Sequence, residues 1–335
     1  APGHATAIKQ NLSPTNSLIL FPSIMIFLRA FFAAAAASAV LFAAPLAYSQ
    51  TTRPLAAAPA GKHCLDESRT KVVLNQTLAG QLNPLGAEHQ LLLSVCVPLI
   101  KTPGVLYDFT NIEGGLVNYL SPTYVHQGGF LSITPLSVLQ IRAEFTGIYI
   151  WSIPINGAGY FPYQSYDGDF SKEARPAEKA LHARGSSFGV SATLRGKIDL
   201  PKEIDLLLVN TTLVEQWTIG PEPYYYNLRR DILLAQGDWT VRNTFASLAE
   251  IPITPNFAVR AGVTDELTTA PSSGYATNVA ALLATALVRR YGDTSRNLPF
   301  FVRGGIYTHH ASAYKFRARE WNAIAGVNVL YDLSP

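Results

Sequence analysis

Val138–Trp151 reads VLQIRAEFTGIYIW, and further along Ser187–Leu200 reads SFGVSATLRGKIDL. In the first, Leu139, Ile141, Ala143, Phe145, Gly147 and Tyr149 alternate with Gln140, Arg142, Glu144 and Thr146. In the second, Phe188, Val190, Ala192, Leu194 and Ile198 alternate with Ser187, Ser191, Thr193, Arg195, Lys197 and Asp199. Side chains on an extended chain point to opposite faces in turn, so a period of two gathers the charges on one face and the large apolar groups on the other. Both segments are amphipathic strands.

Each runs about a dozen residues, where a strand in a water-soluble sheet commonly has about half that. At roughly 3.3 Å per residue, a tilted strand of this length crosses a hydrocarbon layer. Its apolar face then meets lipid and its charged face looks into an enclosed space, the pattern of a transmembrane β-barrel. A soluble periplasmic β-barrel binding an apolar ligand is the alternative, and it buries the apolar face in a core.

The N-terminal part reads as targeting. Met25 is the single methionine, and it opens a segment with Arg29, an apolar run over Ala30–Ala44, and small residues at Ala47 and Ser49. That order matches a secretory signal peptide over 25–50. Residues 1–24 then read as an upstream extension, and 51–69, rich in Ala and Pro at its start, as a flexible periplasmic lead-in. The barrel is expected over 70–335.

Composition agrees with an exported β protein. Sixteen Tyr, 16 Phe and 24 Gly accompany only 15% charged residues, and a net charge of +3 gives no basis for nucleic-acid binding. The two cysteines, Cys64 and Cys96, form a candidate disulfide that would pin the lead-in to the barrel floor, since export permits oxidation.

Counting alternating segments gives about twelve candidate strands: 70–82, 87–99, 105–120, 123–133, 138–151, 187–199, 204–217, 239–251, 257–267, 277–291, 298–308 and 321–333. An even number suits a barrel whose termini share one side. TPLS at 134–137, LPKE at 200–203, PITPN at 252–256 and the link 292–297 are short connectors, and three of them carry proline where a ladder must stop. The connectors 152–186, 218–238, 268–276 and 309–320 are mostly much longer, with 152–186 the largest outer loop. Trp151, Trp217, Trp239 and Trp321 all fall at the long-loop ends of their strands, where an indole suits a membrane interface. Two segments fit less well. Residues 278–290 (NVAALLATALVRR) favour helix by propensity, and 204–217 slips phase around Val209–Thr212, as a bulge or a misplaced boundary would.

With its signal peptide, alternating strands and unequal connectors, the chain resembles the outer-membrane β-barrel proteins of Gram-negative bacteria over about Thr70–Pro335. The resemblance is architectural and points to no subfamily. Members of that group commonly end their last strand in a terminal aromatic residue, whereas this chain ends VLYDLSP. What the resemblance implies is a bacterial outer-membrane location, contact with outer-membrane lipid, and a non-enzymatic narrow channel or surface structural protein.

The expected lumen-lining charges are Arg142, Glu144, Arg195, Lys197, Asp199, Arg242, Arg260, Glu266 and Arg303. They either line a pore with a slightly basic bias for small anionic solutes, or pair across strands and fill the interior. His310 and Ser312 are weak catalytic candidates for a rim lipid hydrolase, because an imidazole can activate a hydroxyl. No acidic orienter accompanies them, and two rim histidines in a polar loop are the plainer reading. Residues 157–170 (GAGYFPYQSYDGDF) crowd aromatics around Asp167 and Asp169. That loop can fold inward as a constriction or present a surface, and it lacks the set of oxygen ligands of a calcium loop. No cofactor fingerprint and no metal-ligand spacing occurs in the sequence.

Overall fold

The computed structural model describes residues 69–334, except 101–103, 105, 108, 255–256, 290–296 and 312–316. The expected extension, signal peptide, Cys64, Ser312 and the link 292–297 lie wholly or mainly outside the described residues. Twelve long strands form the wall: β1 (Lys71–Leu82), β2 (Gly86–Pro98), β3 (Asn111–Ser121), β4 (Tyr124–Leu136), β5 (Leu139–Ile150), β7 (Ala183–Asp199), β8 (Asp205–Ile219), β11 (Asp238–Thr254), β12 (Phe257–Ala270), β13 (Tyr275–Arg289), β14 (Asn297–Ala311) and β15 (Trp321–Asp332). Three short ones, β6 (Pro162–Tyr163), β9 (Tyr224–Asn227) and β10 (Ile232–Ala235), form a separate small sheet in the order β10-β9-β6.

The wall is a closed antiparallel barrel in which β1 pairs with β15, for example Leu78 opposite Val327. Closure leaves no strand edge with unpaired backbone groups, which is what a sheet in hydrocarbon requires. The outward face carries exposed Leu78, Leu116, Leu131, Phe145, Val263, Leu282, Val302 and Ile306. No helix and no second sheet covers this band among the described residues. The inward face carries many buried polar groups, among them Ser94, His126, Ser132, Thr146, Glu215, Thr264 and Thr268, beside small apolar clusters such as Val117, Tyr119 and Phe130. That is the reverse of a soluble barrel binding an apolar ligand, whose interior would be apolar.

The sequence expectations are corrected at several points. The strand expected over 277–291 forms as β13, so the question left open by the helix-favouring run 278–290 is answered as strand over the part described. Hydrogen bonding to β12 on one side and β14 on the other overrides the helical propensity of Ala and Leu. β3 begins at Asn111, not Val105. β8 has an unbroken register with both neighbours and no bulge. Its apparent slip arises because Leu207, Val209 and Leu213 share the inward face with Glu215, while Asn210 and Thr212 face out. These outward polar groups are satisfied laterally: Asn210 and Asn243 bond each other at 3.2 Å, and the Asn243 amide donates to Thr212 Oγ1 at 2.8 Å.

The connector lengths alternate less strictly than expected. The end carrying the loops after β5 and β8 also has tight turns after β1 and β3, and the opposite end, the floor, has a long connector after β2. The long loops therefore crowd over one side of the mouth.

Candidate functional site: a capped mouth above a charged chamber

The loops 151–182 and 220–237 fold together rather than separately. Tyr160, Phe161 and Phe170 from the first join Tyr225, Tyr226, Ile232, Leu233 and Leu234 from the second in one apolar cluster. The strands beneath complete it with Tyr124, Ile148, Ile150, Ala183, Trp217, Ile219, Ala270 and Tyr275. Ile148 and Ile150 lie on the same face of β5 as Arg142 and Glu144, so the charged face turns apolar for its last turn of pleat. This is where the wall receives the cap.

Polar contacts fix the cap's shape. Arg175 is buried with its guanidinium 3.7 Å above the Tyr226 ring, and it donates to the carbonyls of Phe170 and Gly157, each at 3.0 Å. Asp238 accepts from Tyr166 Oη at 3.1 Å and from Ser272 Oγ. Gly220 turns the chain into the second loop at φ +73, and a Cβ there would fall 2.3 Å from Tyr160 Oη. Only glycine meets both demands. Burial raises the hydroxyl pKa of Tyr160, Tyr225 and Tyr226 above the ordinary tyrosine value, and that of Tyr163 to about 12.

Between β9 and β10 the chain makes a charged turn, Leu228-Arg229-Arg230-Asp231, directed into the barrel. Arg230 Nε and Nη2 each donate to a Glu215 carboxylate oxygen at 2.6 Å, and both side chains are about nine-tenths buried. Arg229 Nε lies 3.2 Å from Glu88 Oε2, with its guanidinium 3.9 Å above the Tyr119 ring. Asp231 accepts from Arg317 Nε at 2.7 Å and Nη2 at 3.0 Å, and Arg317 also donates to Asn83 of the β1–β2 turn at 2.7 Å. Three ion pairs thus tie the cap's tip to β2, to β8 and to the segment before β15. Burial depresses the Arg230 pKa, with Arg242 and Arg229 adding to the effect and Glu215 opposing it. For Arg229 burial acts the same way, but Glu88 and the tyrosines Tyr119 and Tyr124 outweigh it and the net shift is upward.

Below and beside this tip lies a cavity of about 1160 Å³. Arg142, Glu144, Arg242, Glu266 and Arg303 line its middle, and the turn Asn83–Gly86 with Ile153–Gly157 of the cap lines its upper part. Arg142 pairs with Glu144 at 2.6 Å, and Arg303 with Glu266 at 3.1 Å. The other expected lumen charges lie lower. Arg195 Nε donates to the Ser137 carbonyl at 3.0 Å, and Arg260 pairs with Glu250 at 2.5 Å. Lys197 and Asp199 stand at the floor rim, 53% and 84% exposed, paired with each other and with Asp205, and so outside the enclosed space.

Two further expectations are revised. Trp217 is not part of an interface girdle: it is fully buried on the inward face, with its ring 5.8 Å from that of His126. It shares parity with Glu215, so a lipid-facing Trp217 would have placed that carboxylate in lipid too. Trp151, Trp239 and Trp321 do lie at the cap end of their strands, and Trp321 is 55% exposed. His310 is 4% exposed and packed edge-on to Phe170 and Tyr275, with Nδ1 accepting from the Arg317 amide at 3.3 Å. It packs among the aromatic rings of the cap. Cys96 is fully buried and disulfide-bonded.

Neither a protein-family model nor a curated protein matches the chain. Several solved structures are similar to it. The β domain of the Bordetella autotransporter BrkA is 9% identical, covers 79% of this chain and 98% of its own, and has a TM-score of 0.41. The translocator domain of the autotransporter NalP from Neisseria meningitidis is 10% identical, with coverages of 80% and 90% and a TM-score of 0.38. OmpT, an outer membrane protein of Vibrio cholerae, is 8% identical, with coverages of 79% and 98% and a TM-score of 0.33. At these levels the likeness lies in the barrel alone. By its closed sheet, apolar exterior and polar interior, the chain has the fold of the outer-membrane β-barrels.

Proposed function

We propose that this protein resides in the outer membrane as a narrow, non-enzymatic channel for small solutes, held closed at one mouth by the cap. The observation that carries this reading is the cavity of about 1160 Å³ inside the barrel. A purely structural barrel of this size can fill its interior with paired side chains, as small barrels do. Here the interior instead keeps a polar chamber whose upper part borders the rim between the β1–β2 turn and the cap. The cap supports gating, because it sits on the wall through an apolar cluster and three ion pairs and shares no ladder with the barrel.

Planar-bilayer recording tests the proposal. Purified full-length protein is expected to give small, infrequent conductance steps that become frequent when the cap is loosened by Arg230→Ala. A bilayer that stays silent with both proteins, each correctly folded by heat-modifiable gel migration, would overturn the channel reading in favour of a structural surface protein.

A further inference from the structure

Across β8, β11 and β12 the inward charges do not balance. Arg242 on β11 has Leu213 and Thr268 as ladder partners, which puts Glu215 of β8 and Glu266 of β12 at diagonal positions beside it. Each carboxylate is already held by another guanidinium, and Glu266 is shared electrostatically between Arg242 and Arg303. Glu215 has both oxygens engaged by Arg230, and Glu266 is engaged by Arg303 at 3.1 Å. Arg242 borders the cavity and makes no ion pair and no side-chain hydrogen bond among the described residues. Arg303, on the other flank of Glu266, has its Nε buried without an acceptor. Three guanidinium groups therefore share two carboxylates. The surplus consists of the whole fork of Arg242 and one N–H of Arg303, with the hydroxyl-bearing Thr211, Thr244 and Thr268 around the same cavity.

A half-buried guanidinium that shares its counter-charge with a second one keeps unused donors, and its planar fork matches the oxygens of a carboxylate or phosphate. The geometry points to an oxyanion-binding site inside the chamber, formed by Arg242 and the Nε edge of Arg303, that takes a small carboxylate- or phosphate-bearing solute. Arg142 lies on the same cavity but is already neutralised by Glu144, so it stands outside the site. This inference shares with the channel reading only the assumption that solutes reach the chamber.

Isothermal titration calorimetry on the detergent-solubilised full chain at low salt tests it without requiring conduction, with citrate and inorganic pyrophosphate as probes. At least one is expected to bind, and which one distinguishes a carboxylate from a phosphate ligand. Arg242→Gln should weaken binding about tenfold or more, the loss of charge-assisted hydrogen bonds, while Arg142→Gln leaves it nearly unchanged. Arg242→Lys, which keeps the charge without the fork, guards against misfolding and should bind with intermediate strength. The site is overturned if neither probe binds the wild type, if Arg242→Gln binds as the wild type does, or if Arg142→Gln loses as much as Arg242→Gln. A barrel that binds a probe but never conducts overturns the channel reading and leaves the site standing. One that conducts but binds neither probe does the opposite.

Discussion

Arg230→Ala is the substitution that most directly tests whether the charged turn latches the cap. Arg230 reaches Glu215 through two hydrogen bonds of 2.6 Å, and the side chains are 7% and 10% exposed. Truncation removes the guanidinium and leaves the Glu215 carboxylate without its partner, which in a buried pair costs about 3–5 kcal/mol. The adjoining cavity lets water reach the stranded carboxylate, so the lower end, about 3 kcal/mol, is the expected penalty on the closed cap. At about 1.4 kcal/mol per factor of ten, the ratio of closed to open states falls by about two orders of magnitude. Open probability in planar bilayers reads this directly. Adding Glu215→Ala should recover much of the closed state, because no buried charge is then left unpaired. Arg229→Ala should have a smaller effect, since its two contacts with Glu88 are longer, at 3.2 and 3.4 Å. If Arg230→Ala gates like the wild type, and the double variant does too, the turn is not a latch.

Three other outcomes follow from the same structure. Leu282, 69% exposed on the outward face of β13, should not tolerate Arg: about 2–4 kcal/mol of folding stability in lipid vesicles is expected to be lost near the bilayer midplane, read by urea titration. Leu283→Gln on the inward face should cost less, and the reverse order would mean that the faces are assigned backwards. The cap should loosen at alkaline pH. Partly buried Tyr163 holds its proton up to about 12 against about 10 in an unfolded chain, so its stabilising contribution is complete below pH of about 10 and is lost as pH rises through about 12. Limited proteolysis of the cap should accelerate across that window, and tyrosine ionisation complete near pH 10 with the cap intact would contradict it. Cys96 is disulfide-bonded at the floor end of the barrel, and pairing with Cys64 is the arrangement we propose. Peptide mapping should recover that linkage, Cys96→Ser should cost about 2–4 kcal/mol, and a disulfide-linked dimer on non-reducing gels would refute it.

Much of the wall was legible in the residues. Strict alternation around Arg142, Glu144, Arg195 and Lys197 told inside from outside, because a side chain two positions away always shares a face. Alternation fails as a guide where both faces are apolar. Ile148, Ile150, Trp217 and Ile219 sit on the charged face yet pack under the cap, and the same loss of contrast left 278–290 undecided between strand and helix. The expected girdle position of Trp217 failed for this reason, although the parity of Glu215 held the correction.

The one-dimensional order of residues determined that this chain makes long amphipathic strands, that an even number of them closes, and which charges face inward. Whether those charges meet each other was decided only by the folded chain. Arg230 finds Glu215 fifteen residues away, but Asp231 finds Arg317 across 86 residues and Arg229 finds Glu88 across 141. Such pairings depend on where two loops meet above the barrel, and local periodicity carries no information about that meeting.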